Sequence, residues 1–156
     1  MINNLLSFIS NENIYLIANW GVITFWLSLI FFPNSQITNF FTQSIIAILI
    51  FAIGYAYLSY AIFLEGNIFD GFELYKGLDG LYSMFADEKL LLLFWLHFLT
   101  ISLFAGAWIV RDSKKYLIPK IVTIPSLILT YFTGPIGLLI YWLIRIFFAK
   151  KISFND

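Results

Sequence analysis

Cysteine is absent from this chain, and histidine occurs once, as His97. Without cysteine there can be no disulfide, thiolate metal site, iron–sulfur cluster or cysteine nucleophile. One histidine cannot build the histidine-rich di-iron centre of membrane hydroxylases and desaturases, so that class of lipid and carotenoid oxidases is excluded. Charge is also scarce. Charged residues make up 12% of the chain, against about 25% in a soluble domain. Nine acids balance nine bases, so nothing points to nucleic acid as a partner. Phosphate-binding glycine loops, HExxH and GxSxG motifs and clustered metal ligands are all missing, and no cofactor is expected. The N-terminal stretch MINNLLSFISNENIY has neither a basic n-region nor a small-residue cleavage signature, so no removable signal peptide is expected.

What fills the chain instead is apolar. Hydrophobic residues are 61% of the total and mean hydropathy is +0.88. Residues 90–110, LLLLFWLHFLTISLFAGAWIV, form an uncharged run of membrane-spanning length with His97 near its centre. Three further blocks accompany it, at about 14–32, 44–64 and 121–148. The expected fold is all-α: one integral membrane domain over 1–156, multi-pass, a bundle of about four transmembrane helices. The last block is longer than a bilayer requires at ~1.5 Å per residue, and Pro125 and Gly134-Pro135 interrupt it, so it reads as one tilted, kinked span. Asn19 in the first block is an amide that needs a partner in lipid. Basic residues divide almost evenly between the two sides, so sidedness stays open.

Between the second and third blocks lies a polar stretch carrying Glu65, Asp70, Glu73, Asp79 and Asp87. Leu74, Leu78, Leu81 and Phe85 follow helical spacing within it, which predicts a short helix at the membrane surface. Asp87 and Glu88 suit the start of the next helix electrostatically. The acids either face water or roof a pocket between helices.

In the third block His97, Thr100, Phe104, Trp108 and Arg111 fall on one helical stripe, with Trp95, Ser102 and Gly106 opposite. The small pair Ser102 and Gly106 suits close packing, here expected against the fourth block at Gly137. The histidine stripe is then expected to face the bundle interior. A neutral imidazole there could donate, accept or shuttle a proton, or simply be satisfied by a neighbouring helix. Gly137, Tyr141 and Arg145 share a face of the fourth block. Arg145 is close enough to the helix end to snorkel to the headgroups.

The strings DEKLLLLFWLHFLTISLFAGAWIVRDS and YFTGPIGLLIYWLIR resemble the small membrane proteins related to plant neoxanthin synthase, the abscisic-acid-deficiency family. The elements that carry the resemblance are Trp95, His97, Leu103, Phe104, Gly106, Trp108, Arg111, Asp112, Gly134, Pro135, Gly137, Leu138 and Arg145. It covers roughly residues 65–145. Where the family pattern carries an aspartate before the leucine–phenylalanine pair, this chain has Ser102.

The resemblance implies a photosynthetic or cell inner membrane and a carotenoid ligand. It also implies the conversion of an epoxide-bearing xanthophyll into an allenic one. That isomerisation needs an acid for the epoxide oxygen and a base for a carbon-bound proton. His97 could take one role and Tyr141, Glu73 or Asp79 the other. Trp95, Thr100, Phe104, Trp108, Arg111 and Arg145 would then contact the polyene. A bilayer core of roughly 30 Å matches the length of such a molecule. A pigment- or lipid-binding accessory protein, with His97 ligating a chlorophyll magnesium or purely structural, is the alternative. Membrane lipid is a partner in either case.

Overall fold

The computed structural model describes residues 10–64, 72 and 75–150. Seven helices and no strand occur among the described residues. They are α1 (Asn11–Phe31), α2 (Gln36–Phe41), α3 (Ile46–Leu64), α4 (Leu78–Ala86), α5 (Glu88–Lys115), α6 (Lys120–Thr133) and α7 (Pro135–Ala149). Three of them, α1, α3 and α5, are long and apolar enough to cross a membrane. Glu73 and Leu74, with Glu65 and Asp70, lie outside the described residues.

The chain divides into two compact units. One comprises Met1–Val22 with Leu49–Thr100, the other Ile23–Ile48 with Ile101–Asp156. In the first unit Ile62, Met84 and Leu90 form a buried cluster with Leu81 and Leu93 packed on it. The short helix expected before the third block is α4, and it turns Leu81 and Met84 inward. Leu78 and Phe85 are exposed. Of the predicted stripe Leu81 is inward, and Met84 takes the second inward position in place of Leu78 and Phe85.

Asp87 caps α5: its Oδ1 accepts from the backbone N–H of Lys89 and of Leu90, both at 2.9 Å. These bonds occupy donors that a helix start leaves unpaired. Asn19 has the partners its position demands. Its amide donates to the Tyr15 carbonyl at 2.7 Å and accepts from Trp95 Nε1 at 3.2 Å.

The second unit is packed around the C-terminal half of α5, where Ser102, Leu103, Ala105, Ala107, Ile109 and Val110 are all buried. Gly106 is there for close approach: a Cβ on it would lie 2.5 Å from the Trp26 ring of α1. This differs from the expected contact with the fourth block. The indole of Trp26 is flat and large, and only a residue without a side chain lets it lie on α5.

The fourth block differs most from expectation. It is two helices, α6 and α7, separated by Gly134 at φ 60°, ψ −86°. Gly134 supplies a backbone conformation that residues with a Cβ rarely adopt, and Pro135 starts α7 where its missing N–H is harmless. In a continuous helix, Gly137 would stand about 10 Å along the axis from Thr130. Here a Cβ on Gly137 would lie 2.1 Å from the Thr130 backbone N. The chain folds back on itself as a hairpin. Each arm, of 14 and 15 residues, is about 21–23 Å long, short of a ~30 Å hydrocarbon core.

Candidate polar site behind an apolar groove

Folding the fourth block into a hairpin determines what meets the end of α5. On α7, Tyr141 and Arg145 are four residues apart and so share a face. On α5, Asp112 faces them. Its Oδ2 accepts from the Tyr141 hydroxyl at 2.6 Å and from Arg145 Nε at 2.8 Å. Arg145 also donates through Nη2 to the Tyr116 hydroxyl at 3.1 Å.

Arg145 is 1% exposed and Tyr141 0%, while the Asp112 side chain is 10% exposed. The guanidinium lies over the rings of Tyr116 and Trp142, with 4.6 Å to each centroid. Two charges taken out of water require this kind of pairing, because an unpaired buried ion is costly. The snorkelling expected of Arg145 does not occur: a buried carboxylate holds its head inward.

Trp108 packs edge-on against Tyr141 at 5.5 Å between centroids and tilted against Trp142 at 5.8 Å. These two tryptophans have a second side. With Ile101, Phe104, Ala105, Pro135, Leu138 and Leu139 they line an open groove of about 700 Å³. The lining has no charged side chain. An apolar groove therefore has, directly behind its tryptophans, a phenol, a carboxylate and a guanidinium in contact.

The remaining sequence candidates are dispersed. His97 is exposed and sits beside Tyr55, 6.0 Å between ring centroids, where an interior position beside Thr100 and Phe104 was expected. Helix α5 turns its Leu96 and Leu99 side inward at this level, and the larger aliphatic surface takes the buried face. Thr100 bonds back to the Leu96 carbonyl at 2.6 Å and is not a histidine partner.

Trp95 is half-buried, tied to Asn19 and stacked on Phe98. Asp79 is exposed in the first turn of α4. Phe104, Trp108 and Arg111 do share a face: together they line a smaller cavity of about 260 Å³. Asp112, Tyr116 and Trp142 were not anticipated as site residues. Asp112 stands in a run of charges, RDSKK, that reads as the solvated end of a span. Its alignment with Tyr141 and Arg145 depends on the hairpin.

Comparison with known proteins gives a family. The ABA DEFICIENT 4-like family model matches residues 13–141, which takes in the three long helices, α6 and most of the groove. The chain is also similar to the chloroplastic protein ABA DEFICIENT 4 of Arabidopsis thaliana, 24% identical over 137 residues. That alignment covers 86% of this chain and 61% of the relative, so the chain matches somewhat under two thirds of the relative's length. No solved structure matches. The protein is a member of the ABA DEFICIENT 4-like family.

Proposed function

We propose that the protein crosses a membrane more than once, binds a xanthophyll in the groove between α5 and α7, and isomerises an epoxide on it to an allene. The observation that carries this reading is the contact between the groove's tryptophans and the Tyr141–Asp112–Arg145 cluster. A polyene end ring is apolar and flat, and Phe104, Trp108, Leu138 and Trp142 offer it apolar and aromatic surface. The chemistry needs an acid and a base within reach of one carbon skeleton, and no net oxidation.

Tyr141 and Asp112 lie behind the groove's tryptophans, so the end ring must first displace the Trp108 ring. Tyr141 then gives its phenolic proton to the epoxide oxygen as the carbon–oxygen bond breaks. The Asp112 carboxylate takes the carbon-bound proton, and the electron pair of that C–H bond completes the cumulated double bonds. The proton then passes from Asp112 back to Tyr141 along their 2.6 Å hydrogen bond, which restores both groups. Arg145 positions the carboxylate through its Nε–H.

The test is expression in a carotenoid-producing bacterium supplied with epoxidised xanthophylls, with pigments separated by chromatography. The wild-type chain should produce an allenic isomer of unchanged mass. Asp112→Asn should lower its formation by ~10²-fold or more while pigment still co-purifies. Absence of both product and bound pigment would overturn the reading. A pigment-binding protein without chemistry is the second reading, favoured by the groove lining, in which no side chain other than indole N–H can hydrogen-bond. Pigment that co-purifies unchanged would mark it.

A further inference from the structure

Cations at the polar end of the second unit are mostly tied down. Lys114 Nζ donates to the Pro33 carbonyl at 2.5 Å and to Asn39 Oδ1 and Gln43 Oε1 at 3.2 Å each. Lys120 Nζ donates to the Phe31 carbonyl at 2.7 Å. Arg145 is paired with Asp112, and Lys115 lies 5.5 Å from the Tyr116 ring centroid. Arg111 differs. Among the described residues no carboxylate or carbonyl pairs with it, and although exposed it also lines a cavity.

That cavity, about 260 Å³, is amphipathic along its length. One wall is the start of α3 and the residues before it, Gln43, Ser44, Ile45 and Ile48. The other is α5, with Phe104, Ala107, Trp108 and Arg111. Residues 104, 108, 111 and 115 follow helical spacing on α5, so the stripe passes from aromatic to basic toward the helix end. Ser44 donates to the Phe40 carbonyl and accepts from the Ile46 N–H, which fixes the opposite wall. The N-terminal turn of α3 adds the positive end of a helix dipole to the same mouth.

We infer that this cavity holds an anionic phospholipid, with its phosphodiester on Arg111 and an acyl chain laid along Ile45, Ile48 and Phe104. A guanidinium binds a phosphate through two parallel N–H···O bonds, and the lipid supplies the counter-charge that no described residue does. The cavity is separate from the xanthophyll groove except that Phe104 and Trp108 have a side in each, and the inference does not depend on turnover.

The test uses the full chain in detergent, without carotenoid, titrated with phosphatidylglycerol or with phosphatidylcholine of the same acyl chains. Binding is read by native mass spectrometry and by the shift of the thermal midpoint. The wild-type chain should bind phosphatidylglycerol at least tenfold more tightly than phosphatidylcholine. Arg111→Gln should remove that preference, and Arg111→Lys should keep part of it. Ile48→Trp, which fills the cavity and leaves the charge, should weaken phosphatidylglycerol binding with Arg111 intact.

Inorganic phosphate at millimolar concentration should not raise the midpoint. A rise equal to that given by the lipid would mean a free-anion site and overturn the assignment to lipid. Equal binding of the two lipids, or an Arg111→Gln chain that keeps its preference, would also overturn it. Failure of epoxide turnover with lipid binding intact would count against the xanthophyll reading alone.

Discussion

His97 and Asp112 stand on the same helix, and the structure treats them in opposite ways. His97, in the first unit, is exposed with a tyrosine ring beside it. Asp112, in the second, is mostly buried and held by Tyr141 and Arg145. An ionisable residue in the middle of an apolar run is the one a reader of sequence marks as functional. Depth along a helix does not say which way the side chain points, however, nor what the opposing helix brings. The first unit meets its polar demands without a buried charge, through Asn19 with the Tyr15 carbonyl and the distant Trp95, and Asp87 with its own helix start. The second gathers a buried charge pair, Asp112 with Arg145, under the hydroxyl of Tyr141.

The largest expected effect follows from that gathering. Asp112→Ala leaves the guanidinium of Arg145 buried and uncompensated, which should destabilise the protein by ~3–5 kcal/mol. Loss of helical circular dichroism on heating in detergent would report it. Replacing the pair together, Asp112→Leu with Arg145→Met, should recover most of the loss, because the desolvation of both charges is removed as well. A single mutant that loses less than ~1 kcal/mol would mean the ion pair is not what secures α7 to α5.

Glycines sharpen the same contrast. Gly137→Ala in the second unit places a Cβ 2.1 Å from a backbone nitrogen of the opposing hairpin arm. Backbone cannot move aside as a side chain does, so the loss should reach ~3 kcal/mol, the upper part of the usual overpacking range. Gly54→Ala in the first unit meets only the Leu96 side chain, at 3.8 Å, an ordinary contact. There alanine should be neutral or stabilise α3 by up to ~1 kcal/mol. The same thermal measurement on both variants should give shifts of different sign or size. Equal losses would mean the hairpin arms separate easily.

Part of the first unit was legible in the sequence, because what Asn19 and Asp87 need follows from their positions inside an apolar block and before a helix start. Asn19 inside an apolar block required a partner, and Asp87 before a helix start required no tertiary information. The second unit was less legible for a physical reason. Hydropathy does not distinguish one tilted span from two short helices folded together, since both bury the same residues. Gly134-Pro135 signalled a break, but not that the chain reverses there. Until it reverses, Arg145 lies at a helix end and reads as a snorkelling cation, and Asp112 reads as part of a solvated charge run. His97 was singled out because it is alone, and its rotation on α5 was set by the aliphatic residues around it.

Tyr141→Phe should have an intermediate effect and separates stability from chemistry. It removes a 2.6 Å hydrogen bond to a carboxylate, for which ~1.5–3 kcal/mol is typical, while the Arg145–Asp112 pair and the Trp108 contact persist. Under the proposed mechanism it also removes the proton that goes to the epoxide. Product formation in the pigment assay should therefore fall by ~10²-fold or more in a chain that still folds and binds pigment. If turnover survives, Tyr141 only positions Asp112, and the acid must be sought elsewhere along the groove.

His97→Phe is expected to do least. The side chain is exposed and its ring neighbour is the aromatic face of Tyr55, which a phenyl ring meets as well as an imidazole does. Stability should stay within ~0.5 kcal/mol of the parent chain, and pigment binding should be unchanged. Turnover should persist too, because the acid and base of the proposed mechanism are Tyr141 and Asp112. The informative comparison is thus between His97→Phe and Tyr141→Phe in one pigment assay at matched expression. Should His97→Phe abolish product while Tyr141→Phe keeps it, the chemistry belongs to the first unit, and the buried cluster of the second serves only to hold α7 in place.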